Sequence, residues 1–268
     1  MANKVKPRIV SLAPSTTRIL WELGAADHLA GVTRWCKDVV PAEAIEGLPV
    51  MGDCWNLDAA AVAHLRPDLV VGSVPYRTEV VGSVLAQGLR FLAKSPRKLD
   101  DIYGDIRLLA GIVGKPGAGE NLVKKMHSQI ATVRERTVGM EMRPRVCCEV
   151  WPNPLRSAER WVEELVEAAG GEFVPCPAGR QVSAEELISA DPEIIVLAWA
   201  ATGDRARPEV VRRRPGWEKV SAVVNNRIHR VRDELLNTPA PILLEGLEAL
   251  AAIIHPEAFS QAVPAARS

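Results

Sequence analysis

The chain has 268 residues with 33 basic and 33 acidic side chains and an apolar share of 47%, enough for one large domain or two lobes with ordinary cores. Zero net charge argues against nucleic acid as the main partner, because phosphate binding needs a basic surface. The five cysteines include no CxxC pair, which fits free thiols better than a disulfide framework or a structural zinc site.

The start, "MANKVKPRIVSLAPS", has lysines but no apolar core ahead of the first strand. No signal peptide is expected from it. The chain as it stands therefore reads as cytoplasmic, or as periplasmic or otherwise extracytoplasmic if a leader has been removed. No apolar run is long enough to span a bilayer, so no membrane insertion is expected.

"PRIVSLAP" is β-like and closed by Pro14. "STTRILWELGAADHL" then reads as a helix capped by Ser15 or Thr16 and stopped by Gly24. "AGVT" is a second strand, followed by a polar loop that carries Trp35 and Cys36 between Arg34 and Lys37. A second such loop, "MGDCWNLD", carries Cys54 and Trp55. "LDAAAVAHLRPDLVVGS" is a helix capped by Asp58, a turn at Pro67 and a buried strand; "TEVVGSVLAQGLRFLAKS" adds a helix and a strand. Strands alternating with helices imply a parallel sheet.

Between Gly117 and Met142, Leu122, Val123, Met126, Ile130 and Val133 recur at helical spacing. This predicts one long amphipathic helix rather than a tether. The second half then repeats the plan of the first. "PRVCCEVWPNP" matches "PRIVSLAPS", "ERWVEELVEAAGGEFV" matches "TTRILWELGAADHLAGV", and "VSAEELISADPEIIVLAW" matches "LDAAAVAHLRPDLVVGS". An internal duplication follows. The predicted fold is α/β: two Rossmann-like lobes with central parallel sheets, residues 1–116 and 143–268, joined by a stiff helix over 117–142 with a ligand cleft between them. "PAPILLEGLEALAAIIHP" closes the chain with a helix started near Pro239 or Pro241.

In open α/β sheets ligands bind beyond the carboxyl ends of the strands. The loops there are Ala13 to Ser15, Trp35-Cys36, Ser73 to Arg77, Trp151 to Asn153 and Trp199 to Gly203. Of seven tryptophans in the chain, Trp35, Trp55, Trp151 and Trp199 are expected at strand ends or in loops. Flat amphipathic rings gathered there suit a large apolar ligand.

Other chemistry is poorly supported. His28, His64, His127, His229 and His255 show no HxxxH or HxH spacing, so no metal cluster is expected. "SLAPS" is not a GxSxG elbow, and "GKPGAGENL" lacks the GxxxxGK[ST] pattern. No catalytic residue or catalytic cofactor is predicted. Cys36 is a candidate thiolate ligand for a metal-bearing ring, favoured by its cationic neighbours; Cys147 and Cys148 read as core. The basic run from Arg205 to Trp217 reads as a solvated surface helix before a turn. Ser183 reads as a helix cap, with Glu186 three residues on and Glu185 free.

Two α/β lobes on one helix, with "RIVSLAPSTTRILWELGAADHLAGVT" and "RPDLVVG", resemble the class III substrate-binding proteins that serve ABC importers of cobalamin, ferric siderophores and haem. The tail "RRPGWEKVSAVVNNRIHRVRDELLNTPAPILLEGLEALAAIIHPE" is similar to the cobalamin-binding branch. The resemblance implies a non-enzymatic protein that holds a corrinoid between aromatic rings of both lobes; a monomer is expected. Trp35 falls where the family has an aromatic after the second strand, and Trp55, or its neighbour Cys54, near a second ligand-facing aromatic. Trp151 to Leu155 match the loop facing the corrin, and Asp233 and Asn237 a polar loop meeting its side chains; Trp199 has no firm counterpart. The family's docking members carry a glutamate in each lobe for an importer permease. Glu185 stands at one such place, Ala60 at the other, and Arg18 stands where glutamate is usual. That departure leaves open a soluble intracellular corrinoid binder without a permease. The alternatives are a haem or ferric-siderophore binder and, from another class, a metallocluster oxidoreductase or chelatase-like enzyme.

Overall fold

The computed structural model describes residues 6–202 and 206–259. The leader reading rests partly on residues 1–5, which lie outside the described residues, as do Gly203 and Arg205. Chain contacts divide the protein into two compact units. One is built from the described residues up to Pro96 with Asp100–Lys125, the other from Arg97–Leu99 with the described residues from Met126 on.

In the first unit β1 (Ile9–Ser11), β2 (Leu29–Thr33), β3 (Val50–Met51), β4 (Leu69–Ser73) and β5 (Phe91–Lys94) form a parallel sheet ordered β3-β2-β1-β4-β5. The inner strands "IVS" and "LVVGS" are apolar almost throughout because helices cover both sheet faces, as parallel sheets require. The helices are α1 (Pro14–Glu22), α2 (Ala59–His64), α3 (Thr78–Ala86) and α4 (Leu99–Ile112). The core includes Val10, Ile19, Leu20, Val62, Val70 and Ile106, all fully buried.

The predicted long helix is α5 (Pro116–Thr137), about 33 Å at 1.5 Å per residue. Leu122, Val123, Met126, Ile130 and Val133 are all buried, so the periodicity identified the inward stripe. The helix ends five residues short of the expected Met142. Gly139 takes a left-handed backbone (φ +85°), which glycine adopts without a Cβ penalty, and Met140 N–H turns back to the Thr137 carbonyl at 3.2 Å.

In the second unit β6 (Arg145–Pro152) is central. It pairs parallel with β8 (Glu172–Phe173) on one edge and β9 (Ile194–Leu197) on the other, and β9 pairs parallel with β10 (Ile228–Arg230). These strands match β1, β2, β4 and β5 in order and direction, which is the expected duplication. The match stops at the far end of β6. There the chain continues in β conformation and returns antiparallel as β7 (Leu155–Ser157), with Trp151 opposite Arg156. A hairpin thus stands where a plain loop was expected.

Helices α6 (Arg160–Ala168), α7 (Ala184–Ala190), α8 (Pro208–Arg212), α9 (Ser221–Val224), α10 (Glu234–Asn237), α11 (Leu243–Ile254) and α12 (Pro256–Phe259) complete this unit. The closing helix α11 buries Leu243, Leu247, Leu250 and Ile254. Its spacing is that of a helix with one face in a core. Among the described residues no helix is long and apolar enough to cross a membrane.

Candidate functional site: aromatic loops at the strand ends

In the first unit the chain leaves β2 through a short 3-10 turn, Arg34–Asp38. At about three residues per turn, neighbours on such a turn diverge. Trp35 is half-buried, whereas Cys36 is 0% exposed. The Cys36 thiol accepts a hydrogen bond from Thr17 Oγ1 at 3.0 Å and lies 3.4 Å from Thr33 Oγ1. Burial pushes the thiol pKa up. The expected thiolate ligand is therefore corrected to a protonated core residue; desolvation outweighs the hydrogen bonds from Thr17 and Thr33 that favour the thiolate.

The loop after β3 is organised by Asp53. Its Oδ1 accepts from the backbone N–H of Trp55 at 2.9 Å and of Asn56 at 3.2 Å, an Asx turn. Its Oδ2 accepts from Trp35 Nε1 at 3.3 Å. Cys54 turns inward and donates to the Leu12 carbonyl at 3.6 Å, while Trp55 stays 49% exposed. Of the two alternatives at this position, Trp55 presents its ring and Cys54 does not. The loop closes tightly at Gly52, where a Cβ would stand 1.7 Å from the Asn56 carbonyl oxygen.

Arg34 stacks on Trp35 with its guanidinium carbon 4.4 Å from the ring centroid, and Arg77 on Trp55 at 5.5 Å. The loop after β4 is tied to the Trp55 loop by Arg77 N–H donating to the Cys54 carbonyl at 3.0 Å. That loop also exposes Val74 and Tyr76.

Underneath, Lys94 at the end of β5 is almost wholly buried. Its ammonium donates to Ser15 Oγ at 3.1 Å and lies 3.7 Å from Asp105 Oδ2. Desolvation lowers its pKa to about 8, against the pull of Asp105. Ser15 and Thr16 do not cap α1: Ala13 is the N-cap, without a side-chain bond, and Pro14 follows inside the first turn. Proline is favoured there because its missing N–H is unpaired in any case.

In the second unit Trp151 lies at the hairpin, 41% exposed, with Nε1 donating to the Asn153 carbonyl at 2.9 Å. Leu155 is half-buried against the core. It lines a cavity of about 360 Å³ with Pro152, Asn153, Pro154, Gln181 and Arg214 among its other walls.

Trp199 does not belong to an open loop. It is 5% exposed and packs in a core cluster with Trp217. Its Nε1 donates to Glu149 Oε2 at 3.2 Å. Glu149 is fully buried and receives Arg214 in a two-pronged pair at 2.6 and 2.9 Å. Trp199 is thereby corrected from ligand contact to part of a buried polar core. The surface reading of the basic run is corrected at Arg214 for the same reason.

Asp233 accepts from Ala201 N–H at 3.1 Å, and Asn237 Nδ2 donates to the Ala198 carbonyl at 2.8 Å. Both hold the loop after β9, which is a structural role beside the expected ligand-facing one.

The two halves also agree at their helix starts. Asp58 caps α2 through bonds from Ala60 and Ala61 N–H at 3.0 and 3.1 Å, and Ser183 caps α7 through Glu186 N–H at 3.1 Å. Ala60 and Glu185 are then the second residues of equivalent helices. Glu185 is exposed, whereas Glu186 pairs with Arg180.

Sequence reasoning missed Asp53, Glu149, Arg214 and Lys94 as organisers. Two of them left a signal: "GDCWN" has the form of an Asx turn, and Glu149 is a charge inside the apolar strand "VCCEVW". Among the described residues no group of three or more His, Cys, Asp or Glu is placed to hold a metal ion.

Comparison with known proteins agrees with this architecture. The family described as "Periplasmic binding protein" matches residues 9–235. An uncharacterized ABC transporter substrate-binding lipoprotein, YvrC of Bacillus subtilis, is 27% identical over 270 residues, covering 97% of this chain and 83% of its own. A cobalamin-binding protein of Halobacterium salinarum is 23% identical over 256 residues, covering 92% of this chain and 69% of its own. A periplasmic heme binding protein from Pseudomonas aeruginosa shares the fold with a TM-score of 0.81 at 24% identity, covering 97% of this chain and 95% of its own. With two α/β sheets built on parallel strands and a family match across most of its length, the chain belongs to the periplasmic binding protein family.

Proposed function

We propose that this chain is a non-enzymatic binding protein for a corrinoid, with Trp35, Trp55 and Trp151 as its aromatic contacts. The observation that carries the reading is that these three indoles remain partly exposed, Trp35 and Trp55 in strand-end loops and Trp151 at the hairpin end of β6. Each is also held by a hydrogen bond at its ring nitrogen or backbone. A large ring held by a few fixed contacts suits a corrin, a partly apolar disc fringed with amides. Covering its apolar area is worth about 25 cal/mol per Å², and sparse polar groups fix its orientation. The relative named as cobalamin-binding supports the same choice.

On this reading the ligand passes to an importer permease, with Glu185 as the docking carboxylate of the second unit. A cytoplasmic location would instead make the chain an intracellular corrinoid carrier, and cell fractionation separates the two. A second reading, a haem binder, is favoured by the guanidiniums of Arg34 and Arg77 beside two of the rings. The test is a cyanocobalamin titration followed by tryptophan fluorescence, repeated with haemin and a ferric siderophore. Saturable quenching by the corrinoid alone is expected. Quenching by haemin alone moves the reading to haem, and no response to any of the three removes it.

A further inference from the structure

We propose that Arg34, Trp35, Asp53, Trp55 and Arg77 form one recognition surface for a flat ring ligand with an oxyanion at its edge. In it Asp53 is the positioning residue and the two guanidiniums take the oxyanion. The inference rests on the reading above that a large ring lies on these indoles, and it adds the charge that the ring carries.

The surface lies wholly in the first unit and is built from three separate strand-end loops. Asp53 joins two of them: one oxygen fixes the backbone under Trp55, the other fixes the Trp35 indole nitrogen. One carboxylate therefore sets both rings. The third loop joins through Arg77, whose backbone N–H bonds to Cys54.

Arg34 and Arg77 each stack on one of these rings. Neither side chain has a hydrogen-bond or ion-pair partner among the described residues. Stacking orders the planar fork and leaves its five N–H donors unspent. A neutral ring edge would leave those donors facing a ligand that displaces their water, at a cost. A phosphodiester or carboxylate would satisfy them with the short, charge-assisted bonds for which the fork is shaped. Two ring ligands carry such a group. Cobalamin has a nucleotide phosphodiester, which cobinamide lacks, and haemin has two carboxylates, which its dimethyl ester lacks.

The experiment measures affinity by calorimetry for cyanocobalamin against dicyanocobinamide and for haemin against haemin dimethyl ester. It uses the whole chain, the Arg34→Gln/Arg77→Gln double variant, Asp53→Ala and Asp53→Asn. The unmodified chain is expected to bind the oxyanion-bearing member of one pair about tenfold more tightly, the size of one charge-assisted contact. The double variant should bring that pair within about twofold, since the guanidiniums are the source of the preference. Asp53→Ala should weaken both members alike and change the near-ultraviolet circular dichroism of the tryptophans, with Asp53→Asn recovering part of both.

Equal affinities in the unmodified chain, or a preference that survives the double variant, would overturn the proposal. Binding of the haem pair with that preference, and of neither corrinoid, would retain it and overturn the corrinoid reading. Corrinoids bound without preference would retain that reading and overturn the proposal. Binding of neither pair overturns both.

Discussion

Within the second unit Arg214 meets Glu149 end-on, Nη1 donating to Oε1 at 2.6 Å and Nη2 to Oε2 at 2.9 Å. Glu149 is fully buried, and the Arg214 side chain is 16% exposed. The guanidinium also lies 4.5 Å from the Trp217 ring centroid, while Trp199 Nε1 supplies a third donor to the carboxylate. Two charges can stay in a core only because the pairing geometry and the extra donor offset their desolvation.

Removing one partner should therefore cost far more than removing both. Arg214→Met is expected to lose about 3–5 kcal/mol of stability, because it leaves a buried carboxylate with the indole alone. The double change Glu149→Leu/Arg214→Met should lose clearly less than the sum of the two single changes. Urea unfolding of the three variants measures this; additive losses would show that the pair is not coupled.

The amine of Lys94 has a different fate, since among the described residues its near countercharge is Asp105 at 3.7 Å. Its pKa falls from 10.5 to about 8 because burial disfavours the ammonium. Below pH 8 the amine is charged in both folded and unfolded chains, and its burial is a standing penalty. Between about 8 and 10.5 the unfolded chain holds the proton that the folded chain has released. Stability from this group therefore rises with pH across that window, by about 3 kcal/mol at 1.36 kcal/mol per unit. Lys94→Met should flatten the slope of unfolding free energy between pH 8 and 10.5. Parallel slopes in the two proteins would count against a depressed Lys94.

Reactivity of the thiols follows from where each is placed. Cys36, Cys54, Cys147 and Cys148 are buried and Cys176 is exposed. In the native protein a bulky disulfide reagent should titrate one thiol, and unfolding should release the other four. Even Cys176 should react slowly near neutral pH. Its pKa is raised by burial and by the Glu163 charge, and only the thiolate attacks. Its rate should climb with pH, and Glu163→Gln should speed it at a fixed pH. Rapid labelling of Cys36 in the folded protein would restore it as a ligand candidate.

Local signals carried much of this structure, and distant partners carried the rest. The α5 stripe, the Asp58 and Ser183 caps and the two-lobe repeat each depend on residues within a few turns, so spacing reveals them. Cys36 could not be placed that way. Its neighbours Arg34 and Lys37 suggest an open cationic loop, but the 3-10 turn after Thr33 sends its side chain toward Thr17. Trp199 looked like a strand-end loop residue because its acceptor, Glu149, lies fifty positions away. Trp35 and Trp55 were legible as aromatics out of place. That one aspartate holds both was not, because the Trp35 bond crosses between loops.

The tight turn before that aspartate offers the last test. A Cβ at Gly52 would meet the Asn56 carbonyl oxygen at 1.7 Å and the Leu57 Cα at 3.0 Å. Both are backbone atoms, which cannot swing aside as a side-chain tip can. Gly52→Ala must therefore shift the Asp53–Asn56 turn, and with it the carboxylate that holds the Trp35 indole. Overpacking of this kind costs about 1–3 kcal/mol. Gly82, in α3, meets nothing within 4 Å, so Gly82→Ala should be neutral or stabilise by up to about 1 kcal/mol through helix propensity. The pair separates loop geometry from general loss of glycine. Tryptophan emission and ring-ligand affinity should change in Gly52→Ala and stay as they are in Gly82→Ala. A Gly52→Ala protein with unaltered emission and affinity would mean that the turn does not set the rings.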